Sequence, residues 1–154
     1  MGRNKYPEET VAKILDAALE LLCAQGYEGT SIQDIVDRLD GMTKGAVYHH
    51  FKSKEEIFNA AFDRAMAPIV EHRRSMLGVG NMTGAQKLKR LYASESVVPQ
   101  IELWARMRPA ADPVKSSRLL AMQYQGSFDE SADGCLLPVI EEGIADGSIA
   151  CECP

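Results

Sequence analysis

Fifteen consecutive residues, Met42 to Glu56 (MTKGAVYHHFKSKEE), constrain the fold of this chain more than any other stretch. Thr43 is a residue type that caps a helix N-terminus. Ser53 is another, followed by Glu55 and Glu56 in a first turn where negative charge is favoured. Between the two caps fits a helix of only about two turns, carried by Ala46, Val47 and His50 and ending before Phe51. The same stretch holds no acid from Met42 to Lys54, although the 154-residue chain has a formal net charge of -5. A short helix bounded by caps, basic and aromatic on its surface, has to be held by its neighbours, because two turns are not stable alone.

The neighbours read as helices too. Val11, Ile14, Leu15, Ala18, Leu19 and Leu22 recur at three- and four-residue spacing on one face, and Pro7, Glu8 and Glu9 suit a first turn. Gly26 stands where a C-terminal cap belongs. In GTSIQDIVDRL, Thr30 or Ser31 is positioned to cap, Asp34 completes a capping-box spacing from Ser31, and Ile32, Ile35, Val36 and Leu39 form the buried stripe. Asp40-Gly41 then turns the chain. After Ser53 a long helix carries Ile57, Phe58, Ala61, Phe62, Ala65, Met66 and Ile69, with Pro68 expected to kink or strain it. Beyond the GVGNMTG loop, Thr83 is expected to cap a helix to about Met107, interrupted at Pro99. Further helices are expected from Lys115 to about Phe128 and from Ser131 to Asp146, the latter broken or kinked at Pro138 and ended by Gly147. No alternating run indicates a strand. The expected architecture is all-α, an N-terminal three-helix helix-turn-helix unit joined by a long fourth helix to a C-terminal helical bundle.

Composition narrows the function classes. Hydrophobic content of 45% and charged content of 25% are ordinary for a globular protein. No apolar run reaches membrane-span length, and the N-terminus MGRNKYPEET lacks a signal core, so a cytoplasmic protein is expected. Residues 1–54 carry seven Lys/Arg against eight acids, and the remainder ten against fourteen. Positive charge is therefore focused, at Arg3 and Lys5 and again at Lys44, Lys52 and Lys54 beside two histidines. No nucleophile elbow, paired carboxylates with a base, or phosphate-cradling glycine loop points to an enzyme or a bound cofactor.

Two short helices joined by a tight turn behind a scaffold helix make a helix-turn-helix unit, whose second helix needs only about two turns to cross a DNA major groove. Gly45 and Ala46 are small where backbone would approach the duplex. Thr43, Tyr48 and Lys54 offer donors toward phosphate. Val47 and Phe51 read as core, and His50 as packing between the third and fourth helices.

At these residues the chain resembles the tetracycline-repressor (TetR) family, whose pattern stands here as TKGAVYHHFKSKEE, preceded by ILDAALELLCAQGYEGTSIQDIV. The resemblance covers roughly residues 8–66. It implies a DNA-binding domain over residues 1–53 and a helical effector-binding and dimerisation domain over 54–154. It implies that Thr30 and Ser31 meet phosphate and that Gln33 reaches a base edge. It further implies that Thr43, Lys44 and Gly45 open the recognition helix, with Lys44 toward a guanine edge. Tyr48 and His49 would touch phosphate or a thymine methyl, and Lys54 the flanking phosphate. The turn RLDGMTKG is one residue longer than the commonest family turn. The implied protein is a homodimeric repressor that binds a pseudo-palindromic operator in double-stranded DNA and is released by a small-molecule effector. Family members run to greater length, so the resemblance implies either a fragment or a short natural form.

Other residues invite readings of their own. Trp104, Met107, Met122, Tyr124 and Phe128 are candidates for an effector pocket and equally for core. Arg106 and Arg108 suit an anionic effector or a surface ion pair. His49 and His50 point about 100° apart on a helix and do not suit one metal. Cys151-Glu152-Cys153 reads as a tail with incidental thiols; the alternative is a thiol- or metal-sensing regulator on the same scaffold through Cys151 and Cys153.

Overall fold

The structure, a computed structural model, describes residues 7–78, 81–107, 117, 121 and 134–151. Its elements are α1 (Pro7–Gln25), α2 (Ile32–Asp37), α3 (Lys44–His50), α4 (Lys54–Leu77), α5 (Gly84–Leu91), α6 (Ser94–Met107) and α7 (Leu137–Ala145). The fold is all-α, as the periodicity predicts, and no strand occurs among the described residues. The chain divides into two units, Met1–Ala65 with Ala105–Leu120, and Met66–Trp104 with Ala121–Pro154.

In the first unit the expected stripe of α1 is buried at Ile14, Leu15, Ala18 and Leu22. It is joined in the core by Ile32, Ile35 and Val36 of α2, Val47 of α3, Phe51, and Ile57, Phe58, Ala61 and Phe62 of α4. Phe58 is fully buried and meets the Tyr27 ring edge-on, with centroids 5.3 Å apart. Full burial of each such side chain stabilises by roughly 1.5–3 kcal/mol, so this core outweighs the surface ion pair Arg38–Glu20 at 2.6 Å, whose partners are both exposed.

Local signals place the helix ends. Gly26 donates its N–H to Leu22 O at 3.1 Å and closes α1. Ser31 caps α2 in a full capping box: its hydroxyl accepts from Asp34 N–H at 3.2 Å, and its own N–H donates to the Asp34 carboxylate at 2.6 Å. These bonds, the backbone one first, hold the Asp34 carboxyl below its ordinary pKa. In the turn that follows, Gly41 has φ +72°, a left-handed conformation that suits the glycine of Asp40-Gly41. Ser53 Oγ accepts from Glu56 N–H at 3.1 Å at the start of α4. That helix continues through Pro68, which has no N–H to offer Arg64 O.

The second unit corrects two expectations. The single helix from Thr83 to Met107 is two helices, α5 and α6, parted at Tyr92 and Ala93. Pro99 does not make the break; it lies inside α6. Pro138 does not break a helix either. It sits in the first turn of α7, where its missing N–H is no loss, directly after three residues of wider π winding, 134–136. Thr83 does cap α5, in a capping box with Gln86. The remaining N–H groups of that end are satisfied from beyond α7: Gly84 N–H donates to Asp146 Oδ2 at 2.8 Å and Ala85 N–H to Ser148 Oγ at 3.0 Å. The two helices cross so closely that a Cβ on Gly84 would overlap the backbone of Gly143. Leu91, Cys135 and Val139 form a buried cluster here, with Leu77 and Leu88 against them. The helix expected from Lys115 to Phe128 lies outside the described residues, apart from 117 and 121.

Candidate nucleic-acid interface

The seven residues of α3 divide cleanly by angle. At about 100° per residue, Lys44, Tyr48, Gly45 and His49 fall within one arc of about 140°. All four are exposed, Tyr48 at 53%. The other side of the helix holds Ala46, His50 and Val47, of which Val47 is 0% exposed and Ala46 and His50 are half-buried. The expected anchoring by Val47 and Phe51 and the half-buried place of His50 are therefore what the structure has. Thr43 fixes the start of the helix, its Oγ1 accepting from Ala46 N–H at 3.2 Å and keeping its own O–H to give. The exposed arc thus carries one cation, two aromatic rings and a backbone bare of side chain at Gly45, with no carboxylate along α3.

On α2, Ser31 and Gln33 are exposed. Gln33 Nε2 donates to Asp37 Oδ1 at 2.6 Å along its own helix, which commits part of its amide before any base arrives. Thr30 needs correction. It is 2% exposed, and its hydroxyl donates to Gly26 O at 2.8 Å. Its side chain serves the end of α1 and does not face outward to a phosphate.

Lys54 is also placed differently from the outward phosphate ligand expected of it. Its Nζ donates to Tyr27 O at 2.8 Å and to Thr30 O at 2.9 Å, and lies 4.1 Å from the centroid of the Tyr27 ring. Two of its three donors and its cation–π face are engaged inside the unit. Lys54 acts first as a clamp, tying the start of α4 to the loop that leads into α2. Sequence reasoning missed this because the partners are carbonyls far away along the chain.

Of the expected effector-pocket residues, Trp104 is described in full and is 38% exposed. Met122, Tyr124, Phe128 and the Met107 side chain lie outside the described residues. Trp104 lines a cleft of the second unit together with Arg73, Leu91, Val97, Gln100 and Cys135. Of the two flanking arginines named from the sequence, Arg106 is exposed and Arg108 lies outside the described residues. The arginine at the cleft is Arg73, hidden in the sequence within the charged run Glu71–Arg74. Cys151 is exposed, and Cys153 lies outside the described residues. No cluster of three metal-ligating side chains occurs among the described residues, and no helix there is long and apolar enough to cross a membrane.

Known proteins share this N-terminal arrangement. Residues 14–61 match the family model described as "Bacterial regulatory proteins, tetR family". The HTH-type transcriptional regulator SrpR of Pseudomonas putida is 42% identical over 62 residues, which is 40% of this chain and 29% of that protein. The uncharacterized HTH-type transcriptional regulator YezE of Bacillus subtilis is 32% identical over 117 residues, 66% of this chain and 59% of that one. Among solved structures, a candidate fatty acid metabolism regulator of Clostridium perfringens superposes with a TM-score of 0.62 at 25% identity, covering 92% of this chain and 74% of its own. The chain thus spans less than two thirds of the length of these curated relatives. Motif and helix order agree with the match, and residues 14–61 carry the domain described for the tetR family of bacterial regulatory proteins.

Proposed function

We propose that the chain is a transcriptional repressor that binds a pseudo-palindromic operator as a homodimer. Residues 1–53 read the DNA, and residues 54–154 dimerise and hold a small-molecule effector whose binding releases it. The observation that carries the reading is the exposed arc of α3, with Lys44, Gly45, Tyr48 and His49 on one side of a capped helix anchored by Val47. In this reading Lys44 meets a guanine edge. Thr43, Tyr48 and Ser31 hold phosphates, and Gln33 and His49 lie beside the bases. A second copy is required on energetic grounds, because one short helix with a single cation binds weakly and two half-sites add their free energies. The effector acts by population shift, binding the DNA-incompetent state more tightly.

An electrophoretic shift with DNA from upstream of the chain's own gene tests the proposal. The expected result is a specific shift that weakens steeply with salt. A dimeric preparation that shifts no DNA specifically would end it. Lys44→Ala is expected to cost about 1–3 kcal/mol of discrimination at one base position while leaving binding to unrelated DNA nearly unchanged.

A further inference from the structure

The cleft of the second unit takes its positive charge from Arg73, not from the Arg106 and Arg108 expected from the sequence. It is a half-open cleft of about 180 Å³. Its apolar wall is Leu91, Val97 and Trp104, and its polar end is Arg73 and Gln100. Gln100 is itself buried, at 8% exposure, and its Oε1 accepts from Arg73 Nη2 at 2.5 Å. The Arg73 Nε is buried with no hydrogen-bond partner. Among the described residues Arg73 is the one charged group lining the cleft, and no carboxylate lines it. The ion pairs of the described residues join Arg38 to Glu20, Arg64 to Asp16 and Lys87 to Glu142, and none reaches Arg73.

A guanidinium that is partly enclosed, uncompensated in charge and left with a buried N–H unsatisfied is unfavourable unless something else completes it. The fork geometry of arginine selects a planar anion with two oxygens. The carboxylate oxygens accept from the Arg73 guanidinium, and Gln100 offers its NH₂ beside it. The volume sets the size of the rest. A cavity of about 150 Å³ takes a benzene ring, so this cleft holds one ring with a carboxylate attached. Trp104 supplies an aromatic surface for it.

We infer that this cleft binds a small carboxylate anion with a ring-sized apolar body, its carboxylate held by Arg73 and Gln100. The inference rests on the proposed effector reading only for its regulatory consequence; the binding chemistry stands separately.

The test is calorimetric titration of the full chain with sodium benzoate, and with benzyl alcohol and benzamide as neutral compounds carrying the same ring. Trp104, the chain's single tryptophan, reports the same event by its emission. Benzoate is expected to bind about tenfold or more tighter than either neutral compound. In Arg73→Gln the benzoate affinity is expected to fall to that of benzyl alcohol, whose own affinity stays unchanged. Absence of benzoate binding, equal affinity for benzoate and the neutral compounds in the wild-type chain, or an unchanged benzoate preference in Arg73→Gln overturns the inference. Should Arg73→Gln fail to fold, the wild-type comparison decides, with Gln100→Met expected to weaken benzoate selectively. The same compounds added to the DNA complex separate the two readings. Benzoate binding without DNA release upholds the carboxylate site and overturns the effector role. Release by neutral ring compounds with no preference for benzoate does the reverse.

Discussion

The two units of this chain are organised in opposite ways. In the first, large apolar side chains turn inward: Phe58, Ile14, Leu22, Ile35, Ile57 and Val47 are all but sealed. The polar groups around them are tied to backbone, as at Lys54, Ser31 and Thr43. In the second, Met66, Val70, Leu91, Leu103, Cys135 and Val139 are buried among the described residues, while Tyr92, Val98, Ile101, Trp104 and Leu137 are exposed and a buried Arg73 N–H has no partner. A unit that presents a fixed surface to a partner needs its own interior complete. In the proposed reading the second unit instead offers a cleft, at Arg73 and Trp104, for a ligand to fill.

The largest expected break in this contrast comes at the helix crossing of the second unit. Gly84→Val forces a side chain into the backbone of Gly143, and overpacking of this kind costs about 1–3 kcal/mol, toward the upper end where backbone itself must move. Denaturant unfolding followed by Trp104 emission should show its midpoint fall. An unchanged midpoint would mean that the close approach of α5 and α7 is not what holds that unit. Next in size is Lys54→Met, which strands two carbonyls of the Tyr27–Thr30 loop. Charged hydrogen bonds contribute about 1.5–3 kcal/mol, and the partial exposure of Lys54 puts the effect near the lower figure. Hydrogen exchange should speed up over Ile32–Asp37 and stay as it was over Leu137–Ala145. Loss of protection in α7 as well would show that the two units do not open separately. The smallest effect is one the units share. Asp34 in the first is held below its ordinary pKa by the backbone and hydroxyl of Ser31, and Asp146 in the second by the Ser148 hydroxyl and the Gly84 and Ser148 backbone. A depressed carboxyl stabilises the folded state fully above the ordinary carboxylate range and loses that contribution as acid takes the pH down through its folded value. Acid titration of stability should therefore show a shallow loss at low pH that Asp34→Asn and Asp146→Asn each flatten.

What the sequence discloses is what lies within one turn. Ser31 with Asp34, Thr43 with Ala46, Ser53 with Glu56 and Thr83 with Gln86 are partners three residues apart, and each was readable as a cap. The exposed arc of α3 was readable too, because a helix fixes angle from spacing. The clamp from Lys54 to Tyr27, the bond from Arg73 to Gln100 and the approach of Gly84 to Gly143 depend on how distant segments fold together. No local pattern encodes them. Arg73 in particular lies within a charged run of a type that usually faces solvent. The break at Tyr92 and Ala93 was missed for a related reason: it contains neither Gly nor Pro, whereas Pro99, which looked like the break, sits inside α6.

The Lys54 clamp has a thermodynamic consequence for recognition. With the loop before α2 tied to α4, and α2 and α3 each capped by its own side chain, little ordering remains to be done when DNA arrives. In the proposed DNA-binding reading, association by this surface is rigid-body docking. Its heat-capacity change reflects only the apolar area covered at contact, without the larger negative value of a segment that folds as it binds.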